Sequence, residues 1–252
     1  MQKVIEHSKC RLCGSNKLHD AFSLGTQYVN DFVPEERVGK GVKAPLDLIV
    51  CEKCTLIQLR HTAPQELLYS RYYWYRSGVT ETMKKALRDL TEAIEKIIDL
   101  KDNDVVLDIG ANDGTLLDSY KNKKLIRIGC EPANNLIDLL KQKTKHVMHD
   151  FWTYDSYKQH AEMWNVKKAK VITAIGMFYD LEEPNKFIAD AANALEENGI
   201  FVAQLMCLGS MIEKNDLGNI CHEHIEYYSL ESLRYLFENN GLEIFKIEQN
   251  RC

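Results

Sequence analysis

Cys10-Arg-Leu-Cys13 and Cys51-Glu-Lys-Cys54 offer four thiols in two tight turns, with 37 residues between the pairs. A C-x-x-C turn aims two sulfurs at one point, and four thiolates satisfy the tetrahedral preference of zinc. Two disulfides or four unrelated thiols are the alternatives. No residue suggests an open coordination position, so the metal reading is a structural one, and His19 and His61 read as surface histidines. Gly14 follows the first turn, where a left-handed backbone is often needed. A second group is Cys221-His222-Glu223-His224, immediately before a helix start at Ser229. Imidazole titrates near neutrality and can take a proton from a substrate, and Glu223 suits a substrate amine or hydroxyl. A surface histidine and a helix-capping one, or a metal site built on His-x-His with an acid, remain alternatives.

The third group is Val105-Val106-Leu107-Asp108-Ile109-Gly110-Ala111-Asn112-Asp113-Gly114-Thr115. It reads as a buried strand, a turn of small residues and a helix start. Gly110 and Gly114 allow a ligand close to the backbone. Glu131 stands 21 residues after Gly110, an offset that suits a carboxylate holding both hydroxyls of a ribose. A dinucleotide fingerprint would need Gly-x-Gly-x-x-Gly, and here Asn112 takes the middle place.

The elements that must position these groups follow from periodicity. Met83, Leu87, Leu90, Ile94, Ile97 and Ile98 recur at helical spacing between Val79 and Leu100. Beyond Lys101, short apolar runs at 105–110, 125–130, 146–150, 170–176 and 200–206 read as buried strands. Stretches 115–121, 134–142, 184–197 and 229–240 read as helices between them. That alternation predicts an α/β domain, a doubly wound parallel sheet covered on both faces. The expected layout is a zinc-binding module over 1–70, an aromatic segment and linker helix over 71–100, and a cofactor-binding domain over 101–252. A chain with formal charge −5 and mixed signs lacks the basic face of a nucleic-acid binder. No apolar run approaches the roughly 20 residues of a membrane span, and the N-terminus lacks a signal-peptide core. These features predict a cytoplasmic protein with neither nucleic acid nor membrane as partner.

The Asp-x-Gly-x-x-x-Gly pattern from Asp108 to Gly114, with Glu131, resembles the class I S-adenosylmethionine-dependent methyltransferases. The resemblance implies that Asp108, Gly110, Asn112 and Gly114 serve the cofactor and that Glu131 holds its ribose. It places Asp150 and Phe151 at the adenine and Gly176 at the methionine end. An NAD-type domain or a cofactor-free fold is the alternative. His-Glu-His followed by an aromatic and Ser-Leu, behind two cysteine knuckles, resembles the sugar C-methyltransferases, as does Tyr73-Trp74-Tyr75-Arg76-Ser77-Gly78 with Met83. This implies that His224 removes a proton beside the carbonyl of a nucleotide-linked ketosugar, with Glu223 and His222 in the same segment. Tyr73 or Tyr75 would stand near the keto oxygen, or the aromatics would simply pack.

Three features depart from that family. Cys221 stands where members can carry a tyrosine, and Phe178-Tyr179-Asp180 replaces a histidine near the fourth strand. The reaction could therefore be an O- or N-methylation, or the chain a catalytically inactive cofactor-binding module. The third concerns the chain end. Residues 241–248 are expected to form a sixth strand, with the family's seventh strand and C-terminal domain missing. An unpaired edge would then invite a second copy or a partner.

Overall fold

The run Val105–Ile109 is buried at every position and forms the middle strand of a parallel sheet in the computed structural model, which describes residues 4–29, 35–64, 68–69 and 73–249. The chain divides into two units. One comprises Met1–Leu68, Gly176–Ala189 and Leu205–Cys252; the other comprises Tyr69–Ile175 and Asp190–Gln204.

The second unit holds strands β6 (Val105–Ile109), β7 (Ile126–Cys130), β8 (His146–Met148), β9 (Ala169–Ile175) and β10 (Leu195–Gln204) in the order β10-β9-β6-β7-β8, every neighbouring pair parallel. The chain moves outward from β6 through β7 to β8, then crosses to the other side of β6 for β9. This reversal makes a switch point at the carboxyl ends of β6 and β9, the place where open α/β sheets hold ligands. Helix α1 (Glu81–Ile97) starts at Thr80, whose side chain accepts from the Met83 amide at 3.2 Å. It buries Leu87, Thr91 and Ile94, and its apolar face joins a core with Val106, Leu116, Leu117, Tyr120, Leu140 and Val171. Helices α2 (Thr115–Ser119) and α3 (Ile137–Lys141) follow β6 and β7. Helix α4 (Tyr154–Trp164) is absent from the sequence reading, because its polar composition leaves only Tyr157 and Ala161 fully buried. Its ends carry the missing signal: Thr153 caps the Ser156 amide, and Asn165 closes it with φ 53°.

In the first unit, β1 (Ile5–Glu6) pairs with β5 (His61–Thr62), and a second sheet runs β11-β4-β3-β2. Its strands are β2 (Leu18–Tyr28), β3 (Lys43–Cys51), β4 (Ile57–Leu59) and β11 (Glu226–Tyr227), all antiparallel. The strand β11 directly follows His224. The His-Glu-His segment is therefore stitched to the cysteine-rich sheet, with Glu226 opposite Gln58 and Tyr227 opposite Ile57. Two short helices, α6 (Leu208–Lys214) and α7 (Leu230–Asn239), belong to this unit, while α5 (Pro184–Ala194) leads from it into the other. Residues 241–248 do not form the expected sixth strand. Phe245 and Ile247 are 63% and 62% exposed. An apolar run becomes a strand only when a neighbour accepts its N–H and C=O groups, and no ladder partner exists for it among the described residues.

Two glycine substitutions should move stability in opposite directions. Gly114 has φ 79°, and a Cβ there would lie 2.9 Å from Lys143 Cβ and 3.0 Å from Leu140 Cδ1. Gly114→Ala combines left-handed strain with overpacking and should destabilise the protein by about 1–3 kcal/mol. Gly209, in α6, has open space around it, so Gly209→Ala should be neutral or stabilising by up to about 1 kcal/mol. Thermal unfolding of the two variants checks the contrast.

Candidate functional site

The two cysteine turns share one backbone pattern. The Gly14 amide donates to the Cys10 carbonyl at 2.9 Å, and the Thr55 amide to the Cys51 carbonyl at 3.0 Å. The Cys10 and Cys51 amides donate to Ser15 and Leu56 five residues on. Gly14 and Thr55, each just past a turn, have φ 69° and 60°. Threonine rarely adopts that conformation, so nothing in its residue type marks the second turn as a copy of the first. The four sulfurs lie within 4.8 Å of one another, with Cys10 and Cys54, and Cys13 and Cys51, each 3.5 Å apart. Disulfide sulfurs would be about 2.05 Å apart. Four zinc thiolates with bonds of about 2.3 Å stand nearly 4 Å apart, which these four side chains match.

Arg11, inside the first turn, has a side chain only 2% exposed. Its backbone and Nη1 both donate to Gln58 Oε1, at 3.1 and 3.0 Å, and Nη2 donates to Thr62 Oγ1 at 2.7 Å. Its Nε donates to Glu182 Oε1 at 3.2 Å. The metal turn is thereby tied to β4, β5 and the loop after residue 180.

That loop also touches the His-Glu-His segment. The Ile225 amide donates to the Tyr179 carbonyl at 3.0 Å, and the Leu59 amide to the Ile225 carbonyl at 2.9 Å. His222 is 3% exposed, with Nε2 bonded to the Ala44 carbonyl of β3 at 3.0 Å; this holds the segment on the sheet. His224 is half-buried, with Nδ1 2.8 Å from the Asn219 carbonyl. A carbonyl only accepts, so Nδ1 carries the hydrogen and the neutral ring presents its lone pair at Nε2. Tyr179 meets the His224 ring edge-on at 4.6 Å between centroids. Burial lowers the His224 pKa, against the opposing pull of the Asn219 carbonyl and Glu223.

Asp180 is buried, and burial with the nearby Glu223 and Glu226 raises its pKa well above the carboxylate range. Glu226 is raised likewise, chiefly by burial, and accepts from Tyr228 Oη at 2.5 Å. Cys221 is pushed up to about 12, mainly by burial, which makes it a neutral thiol. Sequence reasoning gave Asp180 and Glu226 no role; an acid between apolar residues carries no mark of its burial.

In the other unit, Gly110, Asn112 and Gly114 all have left-handed backbones, with φ 73°, 52° and 79°. Glu131 is 5% exposed, and each of its oxygens accepts one amide at 2.8 Å, Oε2 from Asn112 and Oε1 from Ala133. Those bonds fix the carboxylate and leave lone pairs on both oxygens, the acceptor set that a vicinal diol needs. Burial raises the Glu131 pKa, while the two amides oppose it. Asp108 lies inside the sheet, accepts from Thr173 Oγ1 at 2.5 Å and is pushed up to about 7 by burial. Its bond to Thr173 ties β6 to β9 just before the loop. Asp150 Oδ1 accepts from the Phe151 amide, leaving the Phe151 ring 44% exposed. Gly176, with φ 67°, follows β9, and a Cβ there would lie 3.9 Å from Tyr179 Oη. Tyr75 is 47% exposed, and its carbonyl accepts from Asn112 Nδ2 at 3.0 Å. The Tyr73 backbone is held by Asn135.

Removal of the metal tests the four-thiol site. The protein should contain one zinc per chain, and Cys54→Ser should lose it. Zinc affinity at such sites contributes directly to folding, so chelation should lower the melting temperature; an unchanged melt after complete chelation would exclude a structural metal.

Residues 79–247 match a family model described as "Methyltransferase domain", and residues 10–69 match one described as "Putative zinc binding domain". C-methyltransferase NovU of Streptomyces niveus is 26% identical over 98% of this chain. The chain spans 59% of that relative's length. Among solved structures, the mycolic acid cyclopropane synthase CmaA1, complexed with SAH and CTAB, is 15% identical, with TM-score 0.49 over 73% of this chain and 69% of its own. A possible histamine N-methyltransferase of Thermotoga maritima is 18% identical, with TM-score 0.45 over 64% and 71%. The cofactors are S-adenosylmethionine and a structural zinc ion. Among the described residues no helix is long and apolar enough to cross a membrane. With the expected parallel sheet and a family model that matches residues 79–247, this chain belongs to the methyltransferase domain family, with a zinc-binding domain at its N-terminus.

Proposed function

We propose that this protein is a C-methyltransferase that acts on a nucleotide-linked ketosugar, with His224 as the base. The observation that carries this reading is the His224 ring itself. Its Nδ1 is committed to the Asn219 carbonyl, its pKa is lowered by burial, and Nε2 is the atom left to accept a proton. A neutral imidazole with a fixed tautomer suits removal of a weakly acidic proton beside a carbonyl. Methyl transfer to oxygen or nitrogen needs no carbon acid. The resemblance of the relative named C-methyltransferase supports carbon as the acceptor.

His224 takes the α-proton of the ketosugar at Nε2, and the electron pair moves toward the keto oxygen to form an enolate. A hydrogen-bond donor at that oxygen, Tyr73 or Tyr75, would stabilise the charge. Glu223 orients the sugar, and His222 keeps the segment on β3. S-adenosylmethionine supplies the electrophilic methyl group. Glu131 holds the ribose hydroxyls, Asp150 and Phe151 border the adenine, and Gly110, Asn112, Gly114 and Gly176 line the rest, with Asp108 behind them. Four free thiols suit the reducing cytoplasm.

Calorimetry should show S-adenosylmethionine binding that Glu131→Ala weakens tenfold or more, about 1.4 kcal/mol. The base is tested by exchange. In D2O, with S-adenosylhomocysteine bound, the wild-type protein should exchange the α-proton of a nucleotide-linked ketosugar and His224→Gln should not. A methylated oxygen or nitrogen product, formed without exchange, would replace this reading by O- or N-transfer. No turnover of any acceptor, with cofactor binding intact, would favour a binding module. The pH dependence has a defined sign. Because burial lowers the His224 pKa, its ring should titrate below about 6.5, so α-proton exchange should be lost on acidification below that value and be independent of this group at neutral pH. An NMR titration of the ring centred above 7 would contradict the assignment.

A further inference from the structure

The segment Tyr73–Gly78 carries almost no regular structure, yet its backbone is fastened at five points. Asn135 accepts from the Tyr73 amide at 2.9 Å and donates Nδ2 to the Tyr73 carbonyl at 3.0 Å, so one side chain pairs with both polar groups of one residue, as a neighbouring strand would. Asn112 donates to the Tyr75 carbonyl at 3.0 Å and accepts from the Ser77 amide at 3.0 Å. Asp113 accepts from the Gly78 amide at 2.9 Å. All of these fasteners come from the loops that follow β6 and β7, the loops that carry Gly110–Gly114 and Glu131. Gly78 shows how close the approach is: a Cβ there would lie 2.6 Å from Thr115 Oγ1 and 2.7 Å from Asp113 Oδ2.

These bonds form one network with the ribose carboxylate. The Asn112 side chain holds the strap, and its amide donates to Glu131 Oε2. Trp74 and Tyr75 are 52% and 47% exposed, and the amide clamps fasten the strap's backbone at both ends. We propose that Asn135 is a positioning residue that clamps the Tyr73–Gly78 strap onto the two cofactor loops, so that strap attachment and cofactor binding strengthen each other. The coupling half of this rests on the cofactor assignment above; the clamp does not. Whatever stiffens Asn112 and Glu131 stiffens the strap, and by linkage the attached strap favours the ligand by the same factor. The strap also sets where Tyr73 and Tyr75 stand, so Asn135 acts on the reaction through them without touching substrate.

The test compares Asn135→Ala, Asn135→Asp and Gly78→Ala by amide hydrogen exchange, calorimetry with S-adenosylhomocysteine, and thermal melting. Asn135→Ala should expose the Tyr73 and Ser77 amides, weaken S-adenosylhomocysteine about tenfold, ~1.4 kcal/mol, and leave the melting temperature nearly unchanged. Asn135→Asp keeps the acceptor for the Tyr73 amide and loses the donor, and should fall between Ala and the wild type. Gly78→Ala pushes the strap from the loop at its other end and should weaken the ligand without any change at Asn135. Unchanged exchange at Tyr73 in Asn135→Ala would overturn the clamp. Lost protection with affinity unchanged within twofold would overturn the coupling. If the wild-type protein binds no S-adenosylhomocysteine, the cofactor reading and the coupling both fail, while exchange at Tyr73 still decides the clamp.

Discussion

The three residues of β4 have neighbours on both edges, β3 on one side and the chain around Ile225 on the other, and the placement of His224 follows from that arrangement. A buried strand must satisfy its N–H and C=O groups on both sides. Strand β3 meets one row. The other row is met by the bond from Leu59 to Ile225 and by β11, which come from the opposite end of the sequence. Once Ile225 is fixed there, its own amide reaches the Tyr179 carbonyl, and Tyr179 packs against the His224 ring. His222 locks the segment from the other direction through Ala44. His224 is thus held by backbone bonds of its neighbours, and its own side chain has the bond to the Asn219 carbonyl that sets its tautomer.

Burial dominates the electrostatics of both units, with different results. In the first unit Asp180 and Glu226 are driven toward their neutral forms chiefly by desolvation, with Glu223 and Glu226 adding to it at Asp180 and Glu182 at Glu226. Neutral acids spare the interior an accumulation of charge that would be costly; at His224, burial works against the upward pull of the Asn219 carbonyl and Glu223. Burial of the ring therefore prevails and the imidazole stays neutral. In the second unit Glu131 also meets desolvation, but two backbone amides stabilise its charged form. Asp108, behind it, has a single hydroxyl partner and is raised to about 7. Both carboxyls are thus raised by burial, Glu131 against two opposing amides and Asp108 against one hydroxyl.

Local signals made the parallel sheet and the metal site legible. Strands covered on both faces read as continuous apolar runs, and β6, β7 and β9 stand where those runs do. Four cysteines in two equal turns declare a common point because the geometry of each turn is local. The place of Glu131 just past β7 was legible for the same reason, since strand and loop lengths fix its distance from Gly110. The pairing of β11 with β4 was not, because two residues have no periodicity and their partner lies far away in sequence. Gly241–Glu248 misled in the opposite sense: its composition suits a strand, and composition says nothing of whether a partner edge is present. Asn135 escaped notice because its importance is in bonds to the Tyr73 backbone that residue type does not reveal.

Arg11 and Glu182 are 171 residues apart in sequence and share a partly buried hydrogen bond. Closing a loop of that length in a disordered chain carries an entropic cost that rises with the logarithm of its length, and three separate stretches must meet to build the first unit. The parallel sheet reduces that cost if it forms first. Its strands β9 and β10 end at Ile175 and Gln204, the residues just before the second and third stretches begin, so a formed sheet fixes both starting points at neighbouring carboxyl ends. The remaining closures are then short, and the pairing of β4 with β11 can complete a sheet whose other strands are contiguous in sequence. The metal turn, with Arg11 at its centre, supplies the rigid surface on which Glu182 docks. The pairing of β4 with β11 fixes Ile225, and with it the neighbouring His224, within the first unit.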